Sequence, residues 1–513
     1  MDEKWPFLWE LVEGSSQRGS LLSIDAVFAQ KAESEEEAAL LATLLAFYRL
    51  GHLCLKVDNE RTLPDLRLLT PYPGELEKRI RKGAASPFVI REENRFYLSR
   101  LWHLEQQFVS ETVRLLKTVQ DPLSCSLLPP SCSLTDEQKQ AVQKALQFPL
   151  SLIAGGPGTG KSFTASAIAN GFKSQGRSAI LLAAPTGKAA AHLEKKLPGF
   201  EATTLHKLLG VSSAKDFQEL PPWIYMDLLI VDECSMIDPA LFARLMRSVQ
   251  GDTHLVLIGD PHQLPAVEGG SFFADLLAGG TVPFTELTTS LRFEEKGLFS
   301  LAEAILAGDL PKIPLDPFPS EQKIWESVSS HFPKPTRQIE EDLSLFHRFA
   351  LLTPLRRGPF GVESLNRVLL SRFKSLGFYG QYLQIPILIS KSDQRLGLCN
   401  GQMGLLIHCI GKSEKDYALF EGGQRLPRSQ LPSFEIAYAI SVHKSQGSEY
   451  EEALLLIPEG SESFGRELLY TGATRARKKL TIAGEKERIE KLLSQVSGKV
   501  SGVQEKLMAS ELC

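Results

Sequence analysis

The stretch Leu150-Ser-Leu-Ile-Ala-Gly155-Gly156-Pro157-Gly158-Thr159-Gly160-Lys161-Ser162 decides the fold. An apolar run stops at a glycine-rich turn, and the turn opens the helical pattern Phe163–Phe172. The turn fits G-x-x-x-x-G-K-[ST]. Glycines are needed there because backbone N–H groups must wrap a phosphate that a Cβ would obstruct. Lys161 then neutralises β- and γ-phosphate charge, and Ser162 offers its Oγ to Mg2+. Strand, loop and helix in this order predict a nucleotide site, with residues 155–162 holding ATP.

Working outward, Leu228-Leu-Ile-Val-Asp232-Glu233 reads as a buried strand ending in two carboxylates. Asp232 stands where an acid holds Mg2+, and Glu233 where a carboxylate polarises the attacking water. Leu255-Val-Leu-Ile-Gly-Asp260-Pro-His-Gln263 is a third strand with a polar tip, from which Gln263 can sense a γ-phosphate. Two arginines, Arg292 and Arg475, are candidates for cations that reach the phosphates from a second domain. Short runs at 150–154, 178–183, 228–231 and 255–258 alternate with helical patterns, which predicts parallel strands with crossover helices.

The chain has 513 residues, enough for three or four folding units. Hydrophobic residues make up 43% and charged residues 23%, a globular composition. A net charge of −4 excludes a polycation that coats nucleic acid, so any such contact must come from a local basic groove. Seven cysteines are scattered singly with no C-x-x-C pair, which argues against a disulfide framework or zinc ribbon and for a reducing compartment. The acidic N-terminus MDEKWPFLWELVEG lacks the basic region of a secretory signal. Apolar runs such as 40–48 are about half of the ~20 residues a bilayer span needs, so a cytoplasmic protein with no membrane partner is expected.

Composition shifts along the chain suggest boundaries. In residues 1–118, Ser34-Glu-Glu-Glu37 caps a helix over 35–50, strands follow at 52–57 and 95–98, and a helix runs over 101–118. No catalytic cluster appears there, so this unit reads as a docking domain separable from the rest. Residues 119–133 are Pro- and Ser-rich, a linker. The α/β texture covers 134–285 and then 286–376 and 433–513. Between the latter two, 377–432 reads as short strands broken by Gly and Pro, a small β-barrel insert.

With these blocks in order, the chain resembles superfamily-one helicases of the RecD type. Leu134-Thr-Asp-Glu-Gln138 is similar to the family's Q motif, whose glutamine reads adenine. Pro185-Thr186-Gly-Lys188 and Thr203-Thr204-Leu-His206 are similar to blocks that touch single-stranded DNA, and Ser441-Val-His443-Lys444-Ser-Gln-Gly447 to motif V. Leu365-Asn366 and Gly397-Leu-Cys-Asn400-Gly401-Gln-Met-Gly404 look specific to RecD-like chains, and Phe96–Glu105 resembles that family's amino-terminal domain. Departures are small: Cys234 where alanine is usual, and Ser441 in place of threonine.

The resemblance implies an α/β protein with two RecA-like P-loop motor domains with parallel sheets, a small SH3-like β insert and an N-terminal mixed, helical docking domain. It implies an ATP-dependent, 5′-to-3′ DNA translocase and helicase that processes DNA ends. Its ligands would be ATP and Mg2+, the nucleotide held also by Gln138 and Gly447. Thr186, Lys188, Thr204, His206, Asn400, Ser441, His443 and Lys444 would contact DNA. RecB-like and RecC-like subunits would complete a heterotrimer. No PD-(D/E)xK constellation is visible and only 31 residues follow Ile482, so nuclease chemistry is expected in another subunit. Rival readings are a stand-alone helicase, a P-loop switch that hydrolyses without translocating, and an inert structural subunit.

Overall fold

The computed structural model describes residues 4–15, 21–58, 61–70, 72–118, 134–266, 269–289, 296–332, 339–375, 382–393, 395–409, 415–495 and 499–510. The expected linker at 119–133 lies outside them. Four sheets account for the architecture.

The phosphate-loop strand Leu150–Gly155 is buried along its whole length. It sits inside a six-stranded parallel sheet ordered Phe284–Leu287, Leu150–Gly155, His254–Gly259, Leu228–Val231, Ile180–Ala184, Glu201–Thr204. Helices cover both faces, as runs of Leu, Ile and Val without alternation require. A second sheet, also parallel, is ordered Leu315–Asp316, Ala476–Gly484, Tyr450–Ile457, Phe349–Thr353, Ala439–Ser441. These are the two expected motor units, referred to below as motors 1 and 2. The first boundary moves slightly: residues 286–287 pair with the phosphate-loop strand and belong to motor 1, not to motor 2.

The insert is a five-stranded antiparallel sheet, ordered Arg425–Pro427, Tyr417–Phe420, Met403–Cys409, Tyr382–Ile389, Phe434–Ile436. Its expected end at 432 shifts, because Phe434–Ile436 pairs with the insert while Ala439–Ser441 pairs with motor 2. Asn366 fixes the crossing between the two sheets. Its Nδ2 donates to the carbonyls of Ile436 (2.7 Å) and Ala439 (2.9 Å), and its Oδ1 accepts from Ala439 N–H (2.8 Å).

The N-terminal unit is mixed, as expected. A four-stranded antiparallel sheet, Thr62–Leu63, Cys54–Val57, Arg95–Leu98, Val89–Glu92, packs with helices including Glu35–Arg49. Ser34 caps that helix, its Oγ accepting from Glu37 N–H at 3.1 Å.

Separability fails. Helix Ser99–Leu116 lies on motor 1: Phe108 stacks on Phe272 (centroids 4.0 Å apart) and meets Phe242 edge-on (5.3 Å). Leu101, Phe108, Val109 and Leu115 share one core with Leu150, Val231 and Phe272. Arg114 closes the end of the contact, donating to the carbonyls of Met246 and Val249. The C-terminal segment is a second seam. Helix Val503–Ala509 buries Val503 and Leu507 in that same core. Leu53 N–H donates to Val500 O, Gly502 N–H to Glu105, and Lys506 pairs with Glu92 and Glu105. So 499–510 joins motor 1 and the N-terminal unit, not motor 2. The apolar face of the 99–116 helix is committed to the motor rather than left for a partner.

Two outcomes follow from this packing. Phe108→Ala removes a fully buried ring and should cost about 3–5 kcal/mol, seen as a lowered denaturation midpoint of motor 1 by circular dichroism. A chain lacking 1–118 should lose ATPase or aggregate, because Phe242 and Phe272 become exposed. A soluble truncated chain with full ATPase would contradict the shared core.

Candidate nucleotide and DNA site

The helix Lys161–Ser174 starts on Gly160, which is left-handed (φ 84°), and Gly158 is left-handed as well (φ 80°). Glycine takes such angles without strain, as a loop whose amides wrap a phosphate requires. Close packing excludes side chains at the loop's start. A Cβ on Gly155 would stand 2.7 Å from Thr159 Oγ1, and one on Gly156 2.9 Å from the Tyr470 hydroxyl. Thr159 Oγ1 donates to Gly156 O at 2.9 Å. Lys161 Nζ lies over the loop and donates to Gly155 O (2.7 Å) and Gly156 O (2.9 Å).

This loop forms one wall of a cavity of about 830 Å³ between the motors. Pro157, Ser162, Asp232, Glu233 and Gln263 line it from motor 1, and Gly447 and Arg475 from motor 2. Strand Leu228–Val231 delivers the two carboxylates. Asp232 Oδ1 accepts from Glu233 N–H at 2.8 Å. Glu233 is left-handed (φ 56°), a conformation costing roughly 1–3 kcal/mol for a residue with a side chain. Burial and the neighbouring Asp232 push its pKa up to about 7 against the pull of Lys161 and Arg475. Beneath it, Cys234 is buried and its thiol donates to Val231 O, so a small side chain fits there.

Asp260 is fully buried and takes three donors: His262 N–H and Gln263 Nε2 from its own turn, and the Tyr470 hydroxyl from motor 2, each at 3.1 Å. Gln263 Oε1 is buried with no partner, an acceptor at the cavity wall. Two further bonds cross between the motors here. Leu264 N–H donates to Thr471 Oγ1 (2.7 Å) and Gln446 Nε2 to Leu264 O (2.7 Å). Arg475 is 4% exposed and held by carbonyls: Nε on Thr471 O (3.0 Å), Nη1 on Ser448 O (3.1 Å) and Ser445 O (3.4 Å). Arg292 lies outside the described residues.

The residues present fit both ligands. Glycine amides and Lys161 suit a polyphosphate. Mg2+ takes oxygen from one or two carboxylates, a hydroxyl and phosphates, and Asp232 with Ser162 supplies that donor type. Gln138 stands beside the phosphate loop. It is buried, its Oε1 accepts from Thr135 N–H (3.1 Å), its Nε2 donates to Thr159 O (3.4 Å), and it lines neither this cavity nor the 170 Å³ one behind the loop. It braces the phosphate loop.

The expected DNA residues divide. Thr186 follows strand Ile180–Ala184, Thr204 ends the edge strand of motor 1, and Ser441 ends the edge strand of motor 2. All three hydroxyls accept backbone N–H bonds, from Ala189, Lys207 and Lys444. His206 is exposed beside Thr204, and Asn400 is exposed on the insert. Lys444 pairs with Glu435 at 2.7 Å. His443 sits beside Phe464, and burial with nearby Lys499 lowers its pKa to about 4, so it is neutral at pH 7. Lys188 is displaced from expectation: it lines the nucleotide cavity, and its Nζ donates to Ser448 Oγ at 2.7 Å.

Sequence reasoning passed over Tyr470, although it opens the same motif as Arg475. The insert also lines the cavity with Cys399, Met403 and Glu421; the first two lie in the family block 397–404 without a role having been read for them, and Glu421 has no local pattern.

The geometry puts Lys161 on the phosphate loop and Glu233 beside Asp232, so the two should fail differently. Lys161→Gln should abolish ATP hydrolysis. Glu233→Gln should bind ATP and Mg2+ yet hydrolyse on the order of 10²–10⁴-fold more slowly. Nucleotide affinity by fluorescent-analogue titration, beside steady-state turnover, distinguishes them; equal loss of binding in both variants would contradict the division.

Comparison with known proteins agrees with the geometry. Residues 133–316 match the AAA domain model and 436–483 the UvrD-like helicase C-terminal domain model. The chain is 30% identical to the RecBCD enzyme subunit RecD of Mycolicibacterium smegmatis, over 94% of this chain and 95% of that one. It is 29% identical to the protein of that name from Haemophilus influenzae, over 79% of each. It is 31% identical to the ATP-dependent RecD2 DNA helicase of Deinococcus radiodurans, over 68% of this chain and 49% of that one. The chain belongs to the RecD family of superfamily-one helicases, and is an ATP-dependent DNA helicase.

Proposed function

We propose that the chain is the 5′-to-3′ motor subunit of a RecBCD-type helicase–nuclease that processes double-strand DNA ends in the cytoplasm for recombinational repair. RecB-like and RecC-like subunits complete it, and the nuclease chemistry lies in one of them. The observation that carries the motor reading is the cavity shared by two parallel sheets, with Lys161, Asp232, Glu233 and Gln263 on one side and Arg475 on the other. Membership of the trimer is supported by how much of this chain the relatives match: those named as RecBCD subunits from two mycobacteria match over 94% and 98% of it, the Deinococcus RecD2 helicase over 68%.

In this reading the loop amides and Lys161 bind the ATP phosphates, and Asp232 with Ser162 holds Mg2+, which supplies charge neutralisation at the phosphates. Glu233 takes the proton of the attacking water. Gln263 Oε1 is free to orient that water or a phosphate-bound partner. Arg475 exchanges its carbonyl partners for the transferring phosphoryl group, which draws motor 2 toward motor 1. Thr186, Thr204, His206 and Asn400 grip one strand on the motor 1 and insert side, and Ser441, His443 and Lys444 on the other. Both groups stand at the C-terminal ends of strands in the two sheets or on the insert, where open parallel sheets bind ligands. Cleft closing then alternates grip between the motors and moves the chain along DNA. Phosphate contacts carry no base information, so translocation is expected to be insensitive to sequence.

The test is co-purification from native extract followed by unwinding of 5′-tailed and 3′-tailed duplexes by what elutes. Migration with two larger subunits, together with loss of 5′-tail unwinding in the Lys161→Gln assembly, is the expected result. Migration alone with full activity would favour a stand-alone helicase, and DNA-stimulated ATPase without strand displacement a switch.

A further inference from the structure

Lys188 stands where three bodies meet. Its own helix, Gly187–Lys196, belongs to motor 1. Its Nζ donates to Ser448 Oγ of motor 2 at 2.7 Å. The insert closes the third side: Glu421 is near enough to attract its charge, and Cys399 packs so tightly on Gly187 that a Cβ there would stand 2.5 Å from its sulfur. Glu421 in turn pairs with His347 of motor 2 at 3.4 Å. Burial lowers the pKa of Lys188, Glu421 raises it and Arg475 lowers it again.

Ser448 is held from both directions. Lys188 takes its hydroxyl from motor 1, while Arg475 Nη1 donates to its carbonyl at 3.1 Å from motor 2. Ser448 also ends a chain of turns that begins at the DNA-side residues. Lys444 N–H donates to Ser441 Oγ, Ser445 N–H to Val442 O, Gln446 N–H to His443 O, and Ser448 N–H to Ser445 O. Arg475 Nη1 also reaches Ser445 O at 3.4 Å. A shift at 441–444 therefore changes the carbonyls that hold Arg475, and Lys188 fixes the far end of the same turn to motor 1.

We propose that Lys188 is a positioning residue, not a DNA ligand: through Ser448 it sets whether Arg475 is held by carbonyls or released to the phosphates, and so couples DNA occupancy at 441–444 to ATP turnover. The inference rests on the helicase reading and adds to it the element that passes the signal. Spatial adjacency alone does not establish coupling, and a double-mutant cycle does.

The experiment uses the full chain, in its assembly if it co-purifies with partners. Wild type, Lys188→Met, Ser448→Ala, the double variant and Ser448→Thr are compared, with folding checked by thermal melting. Three quantities are read: kcat with saturating oligo-dT, KM for ATP, and oligo-dT affinity by anisotropy at two salt concentrations. Lys188→Met and Ser448→Ala should each lower DNA-stimulated kcat about fivefold or more. The double variant should be no worse than the weaker single one. Oligo-dT affinity and its salt dependence should be unchanged, and Ser448→Thr, which keeps the hydroxyl, should retain coupling. Three results would overturn the proposal. Weaker oligo-dT binding with a shallower salt slope in Lys188→Met makes it a phosphate contact to DNA. A rise in KM for ATP alone makes it a nucleotide ligand. Multiplicative losses in the double variant make the two residues independent. These outcomes leave the helicase reading standing, whereas absence of any DNA-stimulated turnover in wild type would remove that reading itself.

Discussion

The site depends on hydrogen bonds that cross between the two motors, among them Lys188 to Ser448, Tyr470 to Asp260, Leu264 to Thr471, and Gln446 to Leu264. Each joins a segment following a motor 1 strand to one of the two motor 2 segments, 445–448 and 470–471, whose carbonyls hold Arg475. The constraint is mutual. The Tyr470 hydroxyl occupies the space a side chain at residue 156 would need, so the phosphate loop is shaped by motor 2 as well as by its own glycines. The bonds Leu264 to Thr471 and Gln446 to Leu264 are of the neutral kind that contributes about 0.5–1.5 kcal/mol each, and those with a Lys or Asp partner about 1.5–3 kcal/mol. A handful can therefore hold a cleft and still be exchanged within one catalytic cycle.

Rigidity is concentrated elsewhere. The N-terminal unit, motor 1 and the 499–510 segment share one core around Phe108, Phe272, Val503 and Leu507. Because 499–510 follows motor 2 in sequence but packs on motor 1, the chain returns across the cleft it must let open.

Much of this was legible in the sequence wherever the information is local. The strands at 150–155 and 228–231, the carboxylate pair and the turn at 260–263 each combine a short apolar run with a polar end, and the structure brings them to one cavity. What was not legible depends on partners far along the chain. Helix 99–116 has an amphipathic pattern that says it buries a face, but not that the face belongs to motor 1. The run 434–441 falls wholly on the motor side of the boundary expected at 432; the clamp by Asn366, about seventy residues earlier, splits it between two sheets. Gln138 and Lys188 sit in motifs whose resemblance suggests adenine and DNA. The capping pair of Gln138 with Thr135 is local and follows the T-x-x-Q spacing, but its bond to Thr159 and that of Lys188 to Ser448 are tertiary contacts that motif spacing does not encode.

The central claim is that hydrolysis is completed across the cleft, with Arg475 leaving carbonyl partners in motor 2 to meet a phosphoryl group bound by motor 1. The most direct measurement is single-turnover ATP hydrolysis by an Arg475→Ala variant in the presence of single-stranded DNA, beside its nucleotide affinity. The account predicts a loss of about 10³-fold or more in the hydrolytic step, with nucleotide affinity within tenfold of wild type. Hydrolysis at the wild-type rate would contradict it.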